Sequence, residues 1–335
     1  LCKAFDEHRL LLVSSNENVS VSVPTRKTLS IRCEWMRQVG DRFVLACYRE
    51  FSYFDHLLLG KPFSALLREE PGQTDESAEA SEAAEQLTQM LFAETCEILE
   101  QKPRWNRVKL DLDGQTGWVD AKMLSPLSDK EFVALQKAFR HSAIVKMPMA
   151  YAVSENNSQT VPLPAGTRLP QYSDGTFNLL GVTFRIDSAM VSTAAPKLTQ
   201  DNLLKVVRFF LNIPYLWGGK NAMGMDCSGF TQTIHAIFGH SLLRNASEQA
   251  TQGTAVSLDE AQAGDLAFFD HADIDPTAKH ISHVGILIDK ERIIHCSGRV
   301  KVEKLDKQGI FSTEQADKEQ PKGRYTHHLV TIRHY

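Results

Sequence analysis

The chain has 335 residues, a net charge of −4 and a pI near 6.3, with 42% apolar and 23% charged residues. That balance excludes wholesale disorder and a broad electrostatic grip on nucleic acid, and no apolar run is long enough to span a membrane. At roughly 100–200 residues per domain the length implies about two or three domains. The 6 cysteines include no C-x-x-C spacing, so neither a zinc ribbon nor a disulfide scaffold is supported.

Residues 1–65 hold strand-like runs, Asn18–Val23 with period-two alternation and the apolar Phe43–Tyr48, and carry no motif. The chain opens on Leu1, not methionine, which fits a removed export signal and equally a chain trimmed at its start. The stretch from Glu69 to Gln86 is acidic, rich in Ala and Ser, and reads as a solvated linker or as an ordered edge that lends a carboxylate to a neighbouring site. From Leu87 to about Leu127 the pattern turns β-like. Cys96–Glu100 and Arg107–Leu112 alternate, Asp113-Gly114 is a turn dipeptide, and Gly117–Asp120 follows, which suggests a small β-barrel. Residues 128–195 read as a second such unit, with short strands at 143–147, 160–167 and 174–180 divided by Pro and Gly. After Pro196 the spacing of Leu203, Leu204, Val207, Phe210 and Leu211 predicts a helix, capped by Thr199 or Asp201.

The chemistry lies in the last third. Cys227 follows the glycine-rich Tyr215–Met225 segment and opens a helical pattern in which Phe230, Ile234, Ile237 and Phe238 share a face; Asp226 is the natural N-cap. A free thiol titrates near about 8.5, and a helix N-terminus with an adjacent imidazolium lowers that value, so Cys227 is expected to be an activated nucleophile. His283 opens an apolar run, Asp289–Glu291 makes a turn, and His295 lies in the returning run. If this is a tight β-hairpin, His295 faces Gly285 and His283 sits diagonally beside His295 on the same face, about 7–8 Å away by backbone spacing. A register one residue off would part them. His283 is then the candidate base and His295 its orienting partner. Zinc held by Cys227, His280, His283 and His295 is the competing reading, but the spacing matches no zinc signature. His327-His328 reads as surface, and Cys296, alternating away from His295, as core.

Taken together, Tyr215-x-Trp-Gly-Gly, Asp226–Phe230, Gly264–Phe269, His283–Ile286 and Ile294–Gly298 resemble, in order and spacing, the NlpC/P60 cell-wall peptidases. The resemblance implies an α+β papain-like catalytic domain over 196–335, preceded by two small all-β SH3-like barrels at 66–127 and 128–195, with 1–65 unassigned. It implies a cysteine endopeptidase acting on peptidoglycan stem peptides, with Cys227, His283 and His295 catalytic and Tyr215 supporting the oxyanion. The domain order is similar to that of γ-D-glutamyl-L-diamino acid endopeptidases, which take stem fragments with a free N-terminal L-alanine. That likeness nominates Asp226, Ser228, Ser247, Glu85 and Trp118 as substrate-binding residues. It implies no metal and no cofactor, a monomer, and a place in the cell envelope, the periplasm or outside the cell, with the cytoplasm as the alternative. An amidase or acyltransferase on the same core, and a wall-binding protein without activity, are the competing functions.

Overall fold

The computed structural model describes residues 85–140, 142–271, 280–314 and 322–335, with strand segments between 29 and 68. The expected strand at 18–23 and all but the last two residues of the acidic stretch lie outside the described residues. Of the run at 43–48, a strand at Arg42–Leu45 is described, paired with Met36–Val39.

The first unit is an antiparallel sheet of β1 (His56–Leu59), β2 (Ser64–Arg68), β3 (Gln86–Leu91), β4 (Thr95–Gln101), β5 (Trp105–Leu110), β6 (Thr116–Asp120) and β7 (Leu124–Leu127), in the order β7-β1-β4-β5-β6-β2-β3. Alternation drives it. On β5, Val108 and Leu110 are buried while Arg107 and Lys109 face out. Gly114 takes the left-handed conformation (φ +74°) that the turn between β5 and β6 requires. The buried side chains of Leu67, Met90, Cys96, Val108 and Val119 form the core. The sheet begins at β1, upstream of the boundary expected at 66. Leu57-Leu58-Leu59 is a continuous apolar run with no period of two, so nothing in it announces a strand.

Helix α1 (Asp129–Phe139) leads into the second unit and starts with a capping box between Ser128 and Glu131. Its strands are β8 (Ala143–Val145), β9 (Met149–Ser154), β10 (Thr160–Pro164), β11 (Arg168–Leu169), β12 (Thr176–Leu179), β13 (Val182–Ile186) and β14 (Val191–Ser192). They form two small sheets, β11-β8-β14 and β10-β9-β13-β12, around Val145, Leu163 and the stacked rings of Phe177 and Phe184.

The third unit holds α2 (Gln200–Val207), α3 (Cys227–Ile237), α4 (Ala246–Gln249) and an antiparallel sheet. Of the two candidate caps for α2, Thr199 is the one used; it accepts the Asn202 N–H at 3.3 Å. The strands are β15 (Thr254–Val256), β16 (Leu266–His271), β17 (His283–Leu287), β18 (Arg292–Ser297), β19 (Arg299–Leu305), β20 (Gly309–Ser312) and β21 (Arg324–His334), in the order β15-β21-β16-β17-β18-β19-β20. Strand β21 also pairs with β20, so β16 to β21 close into a barrel. The two faces of each strand do different work. Leu266, Phe268, Val284, Ile286, Ile294 and Cys296 pack outward against α3 through Phe230 and Ile234. Ala267, Phe269, Leu287, Ile293, Leu305 and Ile310 fill the inside. Helix α3 is buried on almost every side, held between the barrel and the β units.

Candidate active site

Cys227 is the first residue of α3, and the side chain of Asp226 caps the helix, accepting the Gly229 N–H at 2.6 Å. The sulfur takes the backbone N–H of Val284, which sets it at the barrel rim beside His283, the first residue of β17. The hairpin has the required register: Gly285 pairs with His295. Gly285 is needed there, because a Cβ would stand 2.8 Å from the His295 Cβ and 2.7 Å from Ile293 Cδ1. The diagonal neighbours meet, with His283 Nε2 and His295 Nδ1 2.8 Å apart.

The relay continues one strand further than the motifs suggest. His295 Nε2 lies 2.9 Å from Glu303 Oε2, with the imidazole fully buried and the carboxylate nearly so. His295 pairs across the sheet with Lys301, so Glu303 is its diagonal neighbour, as His283 is on the other side. The same register argument, carried one hairpin on, finds Glu303 from sequence. His327, expected at the surface, is 5% exposed and stacks on His283 with ring centroids 4.3 Å apart. Strand β21 closes the barrel, and that closure turns residue 327 inward. Cys296 is buried, and its thiol donates to the Met225 carbonyl at 3.1 Å.

The thiol is not acidified at rest. Burial and the neighbouring Asp226 carboxylate push its pKa up to about 12, against the lowering expected of a helix N-terminus. Burial likewise pushes the His295 imidazole down, toward its neutral form, against the pull of Glu303. For Glu303 burial acts upward, but the hydrogen bond and charge of His295 and the charge of Lys301 outweigh it and hold the carboxyl at about 2. Tyr215 stands within electrostatic range of Cys227 and Asp226; burial and those two groups push its hydroxyl up, so it stays a neutral donor.

Asp226 is more heavily bonded than an open ligand for an amine. Its Oδ1 accepts from Gly229, from Ser228 Oγ at 3.2 Å and from Arg244 Nη1 at 3.0 Å; its Oδ2 accepts from the Gly218 N–H at 2.9 Å and from Arg244 Nη2 at 2.7 Å. These donors fill the lone-pair sites of a carboxylate. Arg244 is 1% exposed, and its Nε donates to Thr88 on β3 at 2.6 Å, tying the nucleophile's neighbour to the first β unit. Arg244 opens the Arg244–Gln249 segment that holds Ser247, and Ser247 itself is exposed on α4. Ser228 is buried against Asp226 and Arg244.

Glu85 is exposed at the start of β3. The next residue touches the glycine-rich loop that leads to Cys227: Gln86 Nε2 donates to the Trp217 carbonyl at 2.9 Å. Gly218 (φ +71°) admits that approach, since a Cβ would lie 2.7 Å from the Gln86 carbonyl oxygen. Trp118, by contrast, is buried in the first unit with the Lys102 ammonium 4.4 Å from its ring centroid. That burial leaves no open aromatic face there for a ligand.

Comparison with known proteins agrees with this geometry. Residues 212–316 match the NlpC/P60 family, and residues 78–124 match the bacterial dipeptidyl-peptidase Sh3 domain. The chain is 30% identical over 220 residues to a γ-D-glutamyl-L-lysine dipeptidyl-peptidase of Bacillus subtilis, covering 62% of this chain and 71% of that protein. It is 28% identical over 245 residues to the protein of the same name from Bacillus cereus, covering 66% of this chain and 70% of the relative. The crystal structure of an NlpC/P60 family protein from Bacillus cereus superposes with a TM-score of 0.64 at 20% identity, over 84% of this chain and 99% of that one, and shows the same fold. A cysteine at a helix tip, a histidine pair on a barrel hairpin and an SH3 domain against the cleft are therefore the marks of a chain that belongs to the NlpC/P60 family of cysteine peptidases.

Proposed function

We propose that this protein is a cysteine endopeptidase that hydrolyses the γ-D-glutamyl-L-diamino acid bond of peptidoglycan stem peptides, taking fragments with a free N-terminal L-alanine and releasing L-Ala-D-Glu. The observation that carries the reading is the approach of the first β unit to the nucleophile loop. Gln86 bonds the Trp217 carbonyl, and Glu85, exposed, is its neighbour in the chain, which supports Glu85 as the acid near the cleft that holds Cys227. An ammonium entering a partly desolvated cleft needs a compensating charge. Asp226 is neutralised by Arg244, so Glu85 is the acid that meets the amine, and Asp226 with Ser228 orders the floor beneath it. A stem capped on its N-terminus has no such ammonium and adds bulk.

Catalysis starts from a protonated thiol, because burial and Asp226 raise its pKa. His283 takes the Cys227 proton as Sγ attacks the γ-carbonyl carbon, and the carbonyl electrons move onto oxygen. The Cys227 backbone N–H and the Tyr215 hydroxyl are the donors for that oxyanion. His283 then gives its proton to the departing amine. Water, deprotonated by the same ring, opens the thioester and frees the dipeptide and the thiol. The expected place of action is the cell envelope or the outside of the cell; among the described residues no helix is long and apolar enough to cross a membrane.

The test compares L-Ala-γ-D-Glu-L-Lys with its N-acetylated form. The wild type should prefer the free peptide, and Glu85→Gln should lose about ten- to a hundredfold on that peptide while leaving the acetylated one unchanged. Equal wild-type rates on both peptides would dismiss the amine pocket. Release of ammonia, or transfer to an added amine in place of water, would assign amidase or acyltransferase chemistry to the same core. Cys227→Ala should abolish all turnover.

A further inference from the structure

The steps above use His283 and give no task to His295 or to the buried carboxylate behind it. Neutral imidazole has one donor and one acceptor nitrogen, whereas an ionised carboxylate only accepts. Glu303 therefore imposes a direction on the row of side chains in front of it. We propose that Glu303 is a positioning residue that fixes the tautomers of both histidines. It accepts the Nε2 proton of His295 at 2.9 Å, which leaves the His295 Nδ1 lone pair to accept from His283 Nε2 at 2.8 Å and makes Nδ1 the basic nitrogen of His283, the one that serves Cys227. This rests on the reading of His283 as the base.

The surroundings suit that task. His295 is 0% exposed and Glu303 7%, so no bulk water competes for either end of the bond. Lys301 Nζ lies 3.2 Å from the same Oε2 and is shared with Glu314 at 3.4 Å. The ammonium keeps the carboxylate ionised and opposes a second proton on His295. His327, on the closing strand, stacks on His283 and bonds the Thr326 hydroxyl at 2.8 Å through Nδ1. Its ring confines that of His283 on one face. Without an acceptor at 303, His295 can donate from Nδ1, and His283 must then carry its proton on Nδ1, where it cannot act as base.

Nitrogen NMR of the histidine rings in the intact protein tests this directly. The wild type should show His283 and His295 both protonated on Nε2 and bare on Nδ1 at neutral pH; the opposite pattern on either ring overturns the proposal. Glu303→Leu should lower kcat about a hundredfold with KM within about twofold, since base catalysis is lost and binding is not. Glu303→Gln retains an acceptor and should stay within about tenfold of the wild type. A leucine variant that folds and keeps its kcat within about threefold, or keeps both ring tautomers, also overturns the proposal. The ring pattern needs no substrate, so it holds or fails separately from the choice of peptide.

Discussion

The sulfur of Cys227 is the group whose chemistry departs most from its sequence context. A helix start and a nearby histidine argue for a thiolate, yet burial and Asp226 hold the thiol near a pKa of about 12. Alkylation of Cys227 should accordingly climb by about tenfold per pH unit from neutrality upward, with no plateau below pH 10. A plateau reached by pH 7 would mean a standing thiolate–imidazolium pair. The placement of Cys227 at a helix start and of His283 diagonally beside His295 was legible because motif and hairpin register agree on it. Arg244 was not. Its partners are Ser228, Asp226 and Thr88, 16, 18 and 156 positions away, and no local pattern records such contacts. Replacing Arg244 by Ala leaves Asp226 buried without its counter-charge and should cost about 3–5 kcal/mol, read from chemical denaturation.

Helix α3 is the element on which the site is built, and its polar content makes it sensitive to acid. His235, two turns beyond Cys227, is fully buried, and burial with the neighbouring His240 holds it near a pKa of about 3 against an ordinary 6.5. Between those values the unfolded chain binds a proton that the folded one does not. Stability is therefore complete above about pH 6.5 and drains away as the pH falls toward about 3. The melting temperature should follow that course, and His235→Leu should flatten it; an unchanged slope would show that His235 is not the source. The element pattern was readable in the catalytic unit, where the alternating strands and the apolar face of α3 are long. It was less so at β1, whose three consecutive leucines have no period, and at β21, where two adjacent histidines look like surface until the closing pair with β20 is known.

At the scale of the whole molecule, the first β unit is bolted to the catalytic unit through buried polar contacts. Gln89 Oε1 accepts from the Lys220 N–H at 2.9 Å and from Asn221 Nδ2 at 2.7 Å, and the Lys220 ammonium meets Glu94 at 3.3 Å. Gln89→Leu strands two buried donors and should cost about 1–3 kcal/mol for each. If Glu85 meets the substrate amine, the same change should raise KM more than it lowers kcat, because it loosens the wall that carries Glu85 and leaves the relay alone. None of this interface was legible in sequence, since each half of a contact looks like an ordinary polar residue until the partner surface is known. The ring of strands made when β21 meets both β16 and β20 has one more result. A sheet with open sides can peel from its margins, but a cylinder has no margin from which to start. The amide protons of β17, β18 and β19 should exchange with deuterium together, at the rate of global opening, and heat should erase catalysis and structure in a single step.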